Sequence, residues 1–405
     1  MFNKKSSRPS LALFVALALG SGAFLAPSAA DAADVSGQNV TIDDTHAPSN
    51  NATDPNNSSN VIGTAAGFIG NMSDSGNVAN NTLTFNGRPA PPYDKPLFGG
   101  LTFGTGNVTG NRIIVNPATG TLLSTADGIF GGLANGGGSV ENNHAEFNGN
   151  QLNGDLVGGM AKDGGTGIVK GNTATLKGGN ANRDIYGGLA ANGSNGDVIE
   201  NKVRIEGGTV TSPTGTIYGG YSEGNGAVKG NTVTITGGIM QTVYGGYSSG
   251  SGEVSGNTVN LGTESDAVAS STSISGTIYG GSKTNDVTGN TLNVYDSVTA
   301  GNIANFDKVN FKATSSHIAA GDTLLTLNDG NATTLDWNKL HVDDLDSLAA
   351  DPTSDRILTL MENNSNINFG TSYSTTGTRG RIQSDDYEAD ITTDGNNATS
   401  QNVYL

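Results

Sequence analysis

Between Leu97 and Val294 one phrase recurs seven times: an aliphatic residue, usually an aromatic, then Gly-Gly, and later an Asn that opens a run of alternating residues. The clearest copies read IYGGYSEGNGAVKGNTVTITGG from Ile217 and VYGGYSSGSGEVSGNTVNL from Val243; the others begin at Leu97, Ile129, Leu156, Ile185 and Ile278. The second Gly of each pair falls at Gly100, Gly132, Gly159, Gly188, Gly220, Gly246 and Gly281. The Asn falls at Asn111, Asn143, Asn172, Asn201, Asn231, Asn257 and Asn290, and both combs have intervals of 26 to 35 residues. A fixed period near 30 residues means a stack of similar units, each touching mainly its neighbours. Whatever this chain does, it does as a solenoid.

The unit is built of strands. In Thr232 to Gly238, Val233 and Ile235 alternate with Thr232, Thr234 and Thr236, a period of two with β-branched residues on both faces. The Gly density excludes a useful helix, since each Gly costs about 1 kcal/mol against Ala in a helix interior. Each unit holds three short strand candidates, around IYGGYS, AVKGN and NTVTI, separated by Gly, Asn and Ser corners. Three strands and three corners make one coil of a parallel β-helix, and the strong preference of parallel crossovers predicts a right-handed one.

Alternation then assigns the faces. Asn231 shares a side with Val233 and Ile235, so it is expected to be carried inward, and the seven Asn to form an internal hydrogen-bonded ladder. On the first strand Ile217, Gly219 and Tyr221 share a side, which places Leu101, Leu133, Met160, Leu189, Tyr221 and Tyr247 in the core. Phe98, Phe130, Tyr186, Tyr218, Tyr244 and Tyr279 then point outward in a second ladder, broken once by Val157. The Gly pair is expected to serve a corner of positive φ or a close approach of backbone.

The ends are different. Lys4, Lys5 and Arg8, the apolar run Leu11 to Leu19, and Ala30-Asp31-Ala32 have the form of an export signal over residues 1–32. Its removal takes the formal charge from −17 to −19, because three cations and Asp31 leave with it. A chain of that charge repels nucleic acid and anionic membranes, and no later run approaches the length of a membrane-spanning helix. There is no cysteine, although an exported chain would have oxidising conditions available. Residues 33–60 carry few apolar side chains and are expected to be a flexible polar segment, with the β-helix over 61–299. After Ala300 the Gly-Gly mark is lost; residues 300–370 are expected to cap the solenoid, with a short helix in Leu335 to Asp351, and 371–405 to be irregular strand or linker.

The signal, the IYGGYS…GNTVTITGG repeats and the closing FDKVNF…AGDTLLTL segment from Phe306 resemble the passenger region of Gram-negative autotransporters, over about residues 61–370. The resemblance implies a type V secreted surface protein, adhesin-like, partnered by surface glycans or proteins. Such a passenger is followed by an outer-membrane barrel of amphipathic strands. None precedes Leu405, so the barrel is expected to be separately encoded or missing.

Parallel β-helices also carry polysaccharide lyases and hydrolases, so a carbohydrate-active enzyme is the alternative. That chemistry needs carboxylates, or carboxylates with Arg or Lys, converging from adjacent coils. Glu141 and Glu200 are read as equivalent positions two coils apart with Lys170 between them, so the acidic residues of the repeats are not expected to stack. The densest acidic group, Asp343, Asp344 and Asp346 near His341, lacks the Gly turn of a calcium loop and is read as a solvated face. Four scattered histidines without cysteine argue against zinc. No metal or cofactor is expected. The outward rings Tyr186, Tyr218, Tyr244 and Tyr279 remain as the candidate ligand surface, flat enough for sugar faces, or else stacked only to stabilise the coils.

Overall fold

The structure is a computed structural model describing residues 34–42, 62–63, 68–73, 75–86, 96–116, 128–210, 215–313, 315–319, 321–342, 358–369, 380–383, 388–393 and 399–404. It is a parallel β-solenoid of about eight turns with ~29 residues per turn and almost no helix. Each regular coil contributes to three walls. The Gly-Gly wall contains Leu97–Thr102, Gly128–Ala134, Asp155–Ala161, Ile185–Ala190, Thr216–Ser222 and Thr242–Ser248. The Asn wall contains Arg112–Val115, His144–Leu152, Thr173–Ala181, Lys202–Ile205, Thr232–Ile235 and Thr258–Leu261. Between them runs a narrow wall of two-residue strands such as Val198–Ile199 and Val228–Lys229, eight among the described residues. Pairing is parallel and position-for-position: Val203 faces Val233, which faces Val259.

The alternation Asn231, Val233, Ile235 does point inward. Val233 and Ile235 join Ile217 in a buried column that runs the length of the stack. A smaller separate column is made by Val140, Val169, Val198 and Val228 with Ala134, Ala161 and Ala190. The Asn ladder is internal, and all seven Asn are buried. Each side-chain amide donates to the next Asn Oδ1 at 2.8–3.2 Å, from Asn81 to Asn290. Each Oδ1 also accepts the backbone N–H of the preceding Asn, at 2.9–3.1 Å. The second amide proton reaches a carbonyl of the narrow wall, such as Val198 O from Asn231. A buried amide is tolerated there because its donors and acceptor are all engaged.

The Gly pair serves close approach, not a positive-φ corner. A Cβ on Gly220 would lie 2.6 Å from Cγ and Nδ2 of Asn231, and one on Gly132 2.6 Å from Cγ of Asn143. The two sequence combs keep one period because they are the two sides of a single contact. The left-handed corner lies instead immediately before each Asn, at Gly110, Asn142, Gly171, Glu200, Gly230, Gly256 and Gly289. Gly and Asn dominate there because other L residues pay for that conformation.

Several expectations need correcting. Leu101, Leu133, Met160, Leu189, Tyr221 and Tyr247 do not join the main column; they pack with the aromatic row. The first Gly of each pair drops out of the paired register (Tyr186 with Tyr218, then Gly188 with Gly220), so alternation slips by one there. Glu200 is not equivalent to Glu141: Glu141 pairs with Lys170 and Lys170 with Ile199, leaving Glu200 at the corner. The polar segment begins inside the fold, since Asn39–Ile42 pairs in parallel with Thr82–Phe85, and Gln38 takes the Asn position, donating its backbone N–H to Asn81 Oδ1 at 2.9 Å.

The described strands between 300 and 370, the segment expected to cap the solenoid, continue the parallel stack. Lys308–Phe311 pairs with Leu340–Val342, and Thr323–Leu327 with Thr359–Asn368. The edge is then closed by Thr399–Tyr404, which lies antiparallel against Thr359–Asn368. Of the expected helix only residues 335–342 are described, and they form a 3-10 turn, Trp337–Lys339, followed by the strand Leu340–Val342; residues 343–351 lie outside the described residues. The signal segment 1–32 and Asp343, Asp344 and Asp346 lie outside the described residues.

Candidate functional site

Tyr186, Tyr218, Tyr244 and Tyr279 form one row on the face of the Gly-Gly wall opposite Ile217. Their stacking follows from parallel register, which sets equivalent side chains one strand spacing apart. Ring centroids are 5.1 Å apart for Tyr186 and Tyr218, 5.4 Å for Tyr218 and Tyr244, and 4.6 Å for Tyr244 and Tyr279, with planes within 10°. Phe98 and Phe130 stack likewise at 5.1 Å. The second row packs beside the first, with Tyr221 edge-on to Tyr218 at 5.0 Å and Tyr247 edge-on to Tyr244 at 5.0 Å. The row is therefore not uniformly available. Contrary to the expectation of an outward row, Phe98, Phe130, Tyr186 and Tyr218 are buried in a second apolar cluster, Tyr186 at 7% and Tyr218 at 6% exposure, whereas Tyr244, Tyr247 and Tyr279 are half-buried. Each stacked pair stabilises neighbouring coils by about 0.5–1.5 kcal/mol.

Beside this face lies an acidic pair that sequence reasoning missed. Asp155 and Asp184 occupy equivalent positions in adjacent coils, one residue before the paired Leu156 and Ile185. Asp155 Oδ1 accepts the Asp184 N–H at 3.1 Å, and the Tyr186 hydroxyl donates to Asp184 Oδ2 at 2.9 Å. Burial, with the neighbouring Asp184 carboxylate, pushes Asp155 up to about 8. Burial and the same two aspartates push the Tyr186 phenol well above its ordinary value. The stack was hidden because Gly128 and Thr216 fill the slot in the flanking coils.

The outer face of the Asn wall carries an ionic cluster. Arg112, His144, Glu146, Lys177 and Arg204 come from four successive coils and line a shallow groove of about 530 Å³. Glu146 meets Lys177 at 2.9 Å, Arg112 at 3.3 Å and His144 Nε2 at 3.4 Å. Burial raises its pKa, but the hydrogen bonds from Lys177 and His144 outweigh this and hold the carboxyl below the usual range. Burial lowers His144, against the opposing effect of Glu146. Arg204 is bound by Glu206 at 2.6 Å and Asp266 at 2.9 Å. Carboxylates and cations of adjacent coils therefore do converge, contrary to the expectation from the repeat alignment. The signal was the wall position one residue before Phe147, occupied by Glu146, Thr175 and Arg204 in consecutive coils.

A second groove, of about 800 Å³, opens where the ring rows end, with Tyr279 on its wall. Among the described residues no group of three or more His, Cys, Asp or Glu is placed to hold a metal ion, and no helix is long and apolar enough to cross a membrane. Comparison with models of known families, with curated proteins and with solved structures gives no match.

Proposed function

We propose that this chain is an exported, non-enzymatic module of the bacterial surface that works in adhesion or display, as its resemblance to autotransporter passengers implies. The observation that carries this reading is the stretch of aromatic rings on the internally laddered solenoid that reaches solvent, half-buried at Tyr244, Tyr247 and Tyr279. The outward edges of Tyr244 and Tyr247, and Tyr279 at the end of the stack, offer apolar surface beside polar hydroxyls, suited to surface glycans or to a protein partner. The acidic net charge directs the module away from nucleic acid.

The Glu146 cluster favours the second reading, a polysaccharide-degrading enzyme. Two features weigh against it. Glu146 is held ionised by three partners and so lacks the raised pKa of a general acid. Asp155 has a raised pKa, but only 4% of it is exposed, which leaves no room for a sugar at that carboxyl. Beads coated with the folded chain should adhere to epithelial cells or to immobilised glycans, and the same protein should release no reducing or unsaturated ends from acidic and neutral polysaccharides. Turnover without adhesion would replace the first reading by the second.

A further inference from the structure

The aromatic row has a definite end. Tyr279 stacks on Tyr244 through one face, and in the next coil its paired position is Ala304. The second row stops at the same level, because Ser282 follows Gly281 where Tyr247 follows Gly246. Both rows thus lose their side-chain volume within one coil, and the groove of about 800 Å³ lies at that step. This is within the range of about 300–1,000 Å³ usual for small-molecule sites. The rings stack along the solenoid, so the second face of Tyr279 looks into the step; no described ring stacks on that face, and Phe306 lines the groove beside it.

Around that face stand groups of a particular kind. Thr277, Thr334 and Asp336 line the groove, and their side chains make no hydrogen bond to the described residues. Two lysines also line the groove: Lys283 donates its ammonium to Gly250 O at 2.8 Å, and Lys339 is partly neutralised by Asp307 at 3.9 Å, so with Asp336 the net charge stays small. A flat apolar floor with hydroxyl and carboxylate groups at its rim, and little net charge, matches a ligand that has one CH face and a margin of hydroxyls.

We infer that this groove is a saccharide site, in which a neutral pyranose ring stacks on Tyr279 in the place where the ladder's next ring would lie. The inference rests on the adhesion reading and gives it a substrate class and a position. It also assigns the row's length a purpose: the buried rings hold the terminal one in plane, and only the terminal one meets ligand.

The test is binding of the full chain to lactose, maltotriose, mannotriose and chitotriose, read by the fluorescence of its single Trp, Trp337, whose backbone lies between the lining residues Asp336 and Lys339. Saturable binding of at least one sugar is expected. Tyr279→Ala should weaken it about tenfold, the upper range for one ring contact, while Tyr279→Phe stays within about threefold. Should Tyr279→Ala fail to fold, Ala304→Phe provides the second variant: it fills the step with a ring and should abolish binding while raising thermal stability. Sugar binding unchanged in Tyr279→Ala or Ala304→Phe would overturn the site and leave glycan adhesion standing. No sugar binding with coated beads still adhering would overturn the site in favour of a protein partner. Loss of both would remove the adhesion reading as well.

Discussion

Replacing Asn231 by Ala removes the centre of the ladder, and the structure fixes what is left without a partner. The Asn231 Oδ1 accepts two hydrogen bonds, from the Asn201 backbone N–H at 3.0 Å and from Asn201 Nδ2 at 3.0 Å. Both donors are buried, and each costs about 1–3 kcal/mol when stranded, so a loss of about 2–6 kcal/mol is expected. Val198 O loses its bond from the Asn231 amide as well, whereas Asn257 Oδ1 keeps the Asn231 backbone N–H. The ladder's direction supplies an internal control. Asn81 Oδ1 accepts only the Gln38 N–H, which is part-buried, so Asn81→Ala should cost about half as much. Because stacked repeats need not unfold in one step, urea midpoints should be accompanied by hydrogen exchange. The peptide containing Asn201 should exchange faster in Asn231→Ala, and peptides from distant coils should change less. Equal destabilisation by the two variants, or a cost for Asn231→Ala within about 0.5 kcal/mol of zero, would refute the ladder as a stabilising device.

Asp155, whose folded pKa is raised, favours the protonated form, so its contribution is complete below the unfolded carboxylate value and is lost as pH rises toward about 8. Asp155→Asn should therefore be more stable than the parent at pH 8 and should flatten the decline between about pH 4 and about pH 8, as read from thermal midpoints. The His144 and Glu146 pair behaves in the opposite sense: both have lowered folded values, so their contribution is present above the unfolded values and is lost on acidification through the folded ones. Glu146→Gln should reduce that acid-side loss, and nuclear magnetic resonance titration should find His144 below its ordinary pKa.

The coil and its ladder were legible because both depend on local alternation. Val233 and Ile235 had to point inward, and Asn231 had to follow them. The relation between the Gly and Asn combs was visible as a shared period but not as a contact, because only folding brings Gly220 against Asn231. The Tyr221 row was misplaced for a related reason: the Gly pair shifts alternation by one, and glycine has no side chain to reveal its face. The clusters at Asp155 and Glu146 depend on which residues share a coil position, and one uncertain alignment, such as that of Glu200, conceals them. The step at Ala304 was obscured because the repeat's Gly-Gly mark disappears there, although the parallel coils continue.

The contact between the Gly comb and the Asn ladder is the centre of this account, and a double-mutant cycle of Gly220→Ala with Asn231→Ala measures it. Gly220→Ala alone places a Cβ 2.6 Å from Cγ and Nδ2 of Asn231, forcing the amide out of line. In the Asn231→Ala background those atoms are gone, so the added methyl meets little resistance. The double variant should be less destabilised than the sum of the single ones by at least about 1 kcal/mol, read from urea unfolding. Additivity within about 0.3–0.5 kcal/mol would contradict the claim that each glycine is there to admit an asparagine.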